Sequence, residues 1–107
     1  MGKRKPSARG ERRARERVHE DLVRDLEELA RVTPGGTPER PIDVESPAQV
    51  EPIVQASSCP LCDGTVHLDE HVARTQGPAR LRVARVRCAQ CGVERELYFR
   101  LAPLVLN

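Results

Sequence analysis

Three patterns of apolar and polar positions follow one another along this chain. From Glu11 to Thr33 there is no Gly or Pro, and Val18, Leu22, Leu26, Leu29 and Ala30 recur at helical spacing among charged residues. This predicts an amphipathic helix over residues 11–32, stopped by Thr33-Pro34-Gly35-Gly36. Residues 33–53 hold Pro34, Pro38, Pro41, Pro47 and Pro52 and read as a linker that is partly ordered. Within it Ile42 and Val44 alternate with polar residues as a short strand would. Ser46-Pro47-Ala48-Gln49 has the form of a capping box opening a helix that Pro52 should end after about one turn. Ile53 to Ala56 is expected to be a strand leading into the C-terminal part. There, Thr65–Val72, Leu81–Arg87 and Val93–Leu101 are strand-like, with Gln76-Gly77-Pro78 as the turn between the first two. In the last, Leu97, Phe99 and Leu101 fall on one face and Glu96, Tyr98 and Arg100 on the other.

Composition limits what these elements can bury. The chain has 107 residues, with one Phe, one Tyr and no Trp, so a large core cannot be assembled. Chains in this position recruit a metal, disulfides or a second subunit. Charge is unevenly spread. Residues 1–17 carry a net +6 and residues 18–58 a net −6, while residues 59–107 carry +2. Residues 1–10, basic and interrupted by Pro6 and Gly10, read as a disordered tail. Nothing approaches the roughly 20 apolar residues of a membrane span, and the charged start is unlike a secretory signal. The expected location is cytoplasmic, where thiols stay reduced.

The chemistry lies in two cysteine turns, Cys59-Pro60-Leu61-Cys62-Asp63-Gly64 and Cys88-Ala89-Gln90-Cys91-Gly92, with 25 residues between the pairs. A two-residue gap lets the backbone fold into a knuckle that aims both sulfurs inward. Four thiolates at about 2.3 Å complete a tetrahedral zinc shell. The long gap leaves room for two strands and a turn that return the second knuckle to the first. Gly64 and Gly92 stand where the chain turns sharply. Two disulfides, a redox-active pair and an iron site are weaker alternatives for the same cysteines. His67 and His71, four apart on one face of an expected strand, are read as bystanders because the cysteines already close the shell.

On these two knuckles the chain resembles the zinc-ribbon family over about residues 54–101. The resemblance implies a three-stranded antiparallel sheet with structural Zn2+ held by Cys59, Cys62, Cys88 and Cys91. The expected fold is thus a small, metal-stabilised α+β chain: helix, partly ordered linker, and zinc-ribbon domain over residues 54–107. The family implies no single activity.

Two functions fit. The first is a non-catalytic protein-interaction or structural adaptor. Its partner face would be Val18, Leu22, Leu26 and Leu29, and the acidic middle would pair with the basic arm of a second molecule. The stripe spans only about two heptads, short of the three or four of an independent coiled coil, which favours a helix that lies against its own zinc domain or frays in solution. The alternative is non-sequence-specific nucleic-acid binding through Lys3, Arg4, Lys5, Arg9, Arg12, Arg13, Arg15 and Arg17, with Arg82, Arg85 and Arg87 on the strands. Few aromatic side chains are present to stack on bases. No nucleophile–base pair, phosphate-cradling loop or open-shell metal motif appears, so neither an enzyme nor a small-molecule substrate is expected. The apolar run Leu101-Ala102-Pro103-Leu104-Val105-Leu106 is expected to cover the ribbon's own exposed face.

Overall fold

A computed structural model describes residues 8–102. The basic residues Lys3, Arg4 and Lys5, and most of the C-terminal apolar run, lie outside the described residues. The helix expected over residues 11–32 runs from Ala8 to Val32 (α1), so Gly10 is accommodated within its first turns. After it come β1 (Ile42–Val44), a 3-10 turn (Pro47–Gln49), α2 (Val50–Ala56), β2 (Val66–Gln76), β3 (Ala79–Cys88) and β4 (Glu94–Leu101).

The sheet has four strands, in the order β1-β4-β3-β2. Several expectations are corrected here. The sheet is mixed and not a three-stranded antiparallel one, because β1 adds parallel to β4, with Ile42 opposite Phe99 and Val44 opposite Leu101. Ile53–Ala56 is helix and not strand. Pro52 does not end that helix, because it sits in the first turn of α2, where a missing N–H removes no helical bond. The capping box forms only in part. Ser46 makes no side-chain cap, and the Gln49 Oε1 accepts a hydrogen bond from the Glu45 N–H at 2.7 Å.

The turn from β2 to β3 follows from two residues. Gln76 pairs with Ala79, leaving Gly77 and Pro78 as the loop. Gly77 takes φ +58°. Pro78 cannot have positive φ, which excludes a type I′ turn and leaves type II′.

The core lies between one face of the sheet and α2. Phe99, Val50 and Val54 are its largest fully buried side chains, packed with Val44, Val66, Ala84, Val86 and the sulfur-bearing Cys59 and Cys88. Leu101 packs against this cluster, and the Ala102 N–H donates to the Val44 carbonyl at 2.9 Å. The central strand β3 is also buried on its other face, at Leu81 and Val83. There the cover comes from neighbouring polar side chains: Arg74, Glu96, Tyr98 and Arg100 stand on that face in register.

The helix α1 leaves this body behind: none of its residues is buried. The expectation that its stripe lies against the sheet is therefore not met. Its C-terminus is fastened to the body. Arg40 Nη1 donates to the Val32 carbonyl at 3.1 Å, and the Tyr98 N–H of β4 donates to the Gly35 carbonyl at 2.9 Å. Gly35 is held at φ +88° under Ile42, and a Cβ on Gly36 would overlap the Ala30 carbonyl. The double-glycine stop thus sets where the helix leaves the sheet.

Phe99 is fully buried at the centre of a core with no other large aromatic side chain. Phe99→Ala should cost about 3–5 kcal/mol. Urea unfolding of the metal-loaded protein, followed by circular dichroism, reads that loss directly.

Candidate metal centre

The first knuckle joins α2 to β2, and the second joins β3 to β4. The β2–β3 hairpin brings them together because Val66, at the start of β2, pairs with Cys88, at the end of β3. Two further backbone links fix the approach. Ser58 bridges Thr65, and the Ala89 N–H donates to the Thr65 carbonyl at 2.9 Å.

The two knuckles have the same hydrogen-bond plan. In the first, the Cys59 N–H donates to the Gly64 carbonyl and the Asp63 N–H to the Cys59 carbonyl, at 2.9 and 2.8 Å. In the second, the Cys88 N–H donates to the Val93 carbonyl and the Gly92 N–H to the Cys88 carbonyl, both at 3.0 Å. The equivalent positions Asp63 and Gly92 have φ +62° and +79°. Gly92 meets this demand as the sequence suggests. In the first knuckle the left-handed residue is Asp63, one of the few non-glycine types that tolerates it. Gly64 serves a different purpose: a Cβ there would stand 2.9 Å from Gln90 Cβ and 3.0 Å from Cys88 Sγ. It lets the knuckles close on each other.

All four sulfurs lie within 4.8 Å of one another. Cys59 and Cys91 are 3.7 Å apart, and Cys62 and Cys88 are 3.4 Å apart. A disulfide needs about 2.05 Å, so neither contact is one. Sulfurs placed tetrahedrally about 2.3 Å from an ion would be about 3.8 Å from one another, close to these separations. Cys59 and Cys88 are buried, Cys62 is half-buried and Cys91 is exposed. Among the described residues this is the one cluster able to hold a metal, and its donors are all sulfur. The geometry matches a zinc-ribbon-like site. No protein-family model, curated protein or solved structure matches this chain.

The metal-free thiols titrate unevenly. The Cys91 and Gln90 N–H groups point at Cys88 Sγ, at 3.4 and 3.3 Å, and hold its pKa down to about 6. Cys62 is pushed up to about 12, first by its contact with the Cys88 sulfur and then by burial. One sulfur of the pair takes the charge and the other keeps its proton, until a cation allows both to ionise.

His67 and His71 do not share a face, contrary to the reading from their spacing. A β-bulge at Asp69 shifts the register between Leu68 and Glu70, so His67 pairs with Arg87 and His71 with Ala84, on opposite faces. Neither joins the sulfur cluster. His71 sits partly buried on the core side, where burial and then Arg82 lower its pKa.

The strand arginines do not form one basic surface. Arg82 lies on the core side in register with Phe99, whereas Arg85 and Arg87 lie on the opposite face. Those two stand 3.5 Å from Glu70 and Asp69, and on the same face Arg74 pairs with Glu96 at 3.8 Å and Arg100 with Asp43 at 2.8 Å. Exposed pairs of this kind stabilise by only about 0–1 kcal/mol each, but they neutralise the face. Arg9, Arg12, Arg13, Arg15 and Arg17 are exposed on α1, far along the chain from the strand arginines. Of the apolar stripe, Val18 is 68% exposed, Leu22 54% and Leu29 61%, while Leu26 is half-buried. Val32, 54% exposed, extends the stripe by one turn. Its i,i+3 relation to Leu29 is readable in the sequence.

Metal binding must displace the Cys62 proton near neutrality. Affinity should therefore rise with pH. Below about pH 6 Cys88 also takes up a proton, and the dependence should steepen. Competition titration with a chromophoric chelator across pH 5–8 (roughly the range in which this steepening falls) measures both slopes. Gly64→Ala should weaken metal binding by forcing the knuckles apart, and the same titration reports it.

Proposed function

We propose that this chain is a zinc-binding, non-catalytic module that acts in the cytoplasm as a protein-interaction or structural adaptor. The observation that carries the reading is the closed cluster of Cys59, Cys62, Cys88 and Cys91. Four thiolates favour zinc among the common divalent ions. They also fill the tetrahedron, whereas a catalytic zinc keeps a position for water. The ion would join two knuckles and stabilise a small core. The surfaces left for function are then those the ribbon displays and the apolar stripe of α1. Among the described residues no helix is long and apolar enough to cross a membrane.

The nucleic-acid reading receives less support. On one face of the sheet Arg74, Arg85, Arg87 and Arg100 stand beside carboxylates, so that face offers no unbalanced positive surface. The basic half of α1 is followed directly by an acidic half.

Elemental analysis of the purified chain should return one zinc per molecule, and Cys88→Ser should abolish it. Chelation should remove much of the folding free energy, of order 10 kcal/mol for a structural zinc. Amide resonances of residues 54–101 should then collapse to the narrow dispersion of an unfolded chain. Retention of their dispersion after complete zinc removal would contradict the structural role. Retention of the intact protein on random-sequence DNA or RNA at moderate salt would favour the alternative function.

A further inference from the structure

We propose that α1 pairs with α1 of a second copy of this chain, in antiparallel orientation. The inference rests on the adaptor reading above and names its partner.

A helix of 25 residues with no buried side chain has an unmet requirement. In folded proteins most helical stability comes from packing an apolar face, and among the described residues none of α1 is buried. Its apolar face is nevertheless continuous. Ala14, Val18, Leu22, Leu29 and Val32 fall within about 80° of one another around the helix, and Val18, Leu22, Leu29 and Val32 are exposed.

Charge decides between a second copy and some other occupant, and it also sets the direction. In Ala8–Val18 the charged residues are Arg9, Arg12, Arg13, Arg15 and Arg17 against Glu11 and Glu16, a net +3. In His19–Val32 they are Glu20, Asp21, Asp25, Glu27 and Glu28 against Arg24 and Arg31, a net −3. The helix is its own complement when reversed. A parallel pair would set like halves together.

Register follows from the stripe. Placing Val18 opposite Leu22 of the second copy puts Ala14 opposite Leu26. The same register brings Arg15, beside this face, level with Asp25 of the second copy. The apolar and electrostatic matches agree on one alignment. The two ribbons then sit at opposite ends of the paired helices, clear of each other.

Sedimentation equilibrium of the full zinc-loaded chain tests this. The expected mass is twice 11.9 kDa at tens of micromolar. Leu22→Glu should return it to a single chain. Because that variant also removes helix packing, charge reversals carry the orientation. Arg15→Glu alone and Asp25→Arg alone should each weaken association about tenfold, since each creates two like-charge contacts per dimer. Arg15→Glu and Asp25→Arg together in one chain should restore it. A parallel pair would show no such restoration, because each position would still face its own copy. A single-chain mass at these concentrations, a dimer that survives Leu22→Glu, or no rescue by the double reversal overturns the proposal. Zinc content measured on the same samples reports separately on the metal reading, so either can fail without the other.

Discussion

The convergence of four thiols within 4.8 Å of one another governs the rest of the ribbon. Ionised thiolates this close repel, and buried ones are costly to charge. The protein answers locally, by aiming backbone N–H groups at Cys88, and globally, by gathering an all-sulfur set that suits a soft-binding divalent cation. The hairpin length, the type II′ turn, the bare backbone of Gly64 and the bridge from Thr65 to Ala89 all serve that convergence. The hydrophobic core is continuous with it: Cys59 and Cys88 belong to the same buried cluster as Phe99, Val50 and Val54. Packing and metal binding therefore support the same small volume, as expected where a chain has too few large side chains to fold on burial alone.

The sheet shows how such a chain economises. The face toward α2 is apolar. The other buries only Leu81 and Val83, beneath long charged side chains that pair across strands. Arginine stems cover apolar surface while their heads stay in water. The arginines that suggest an anionic ligand when read along the sequence are thus partly structural cover, with carboxylates opposite them. The parallel strand β1 completes this arrangement. It caps the outer edge of β4, brings Val44 into the core and places Asp43 beside Arg100.

The helix follows a different logic. It carries opposite net charges in its two halves and an exposed apolar stripe, and the described residues fix its departure point. The glycines at 35 and 36, held under Ile42 and against the helix's last turn, direct it away from the sheet. A ribbon closed by sulfur at one site and a helix projecting from the edge of β4 make a molecule whose stable part and whose exposed apolar part are separate.

Much of the ribbon was legible in the sequence, because knuckle chemistry is local: two residues between cysteines, a turn after each pair, and alternation in β4 suffice. The strand at Ile42–Val44 and the helix core were legible for the same reason. What the sequence could not decide were matters of partner choice. A three-residue strand has no preference of its own between a parallel and an antiparallel neighbour; its place beside β4 depends on Val44 finding the core. Ile53–Ala56, read as a strand, is too short for its pattern to tell strand from helix, and its helical form follows from packing Val50 and Val54 on the sheet. The bulge at Asp69, which parts His67 from His71, exists only in the pairing of two strands. Composition and spacing determined that four cysteines would meet. Tertiary contacts decided which faces they leave exposed, because burial, register and charge pairing are properties of neighbours and not of any one segment.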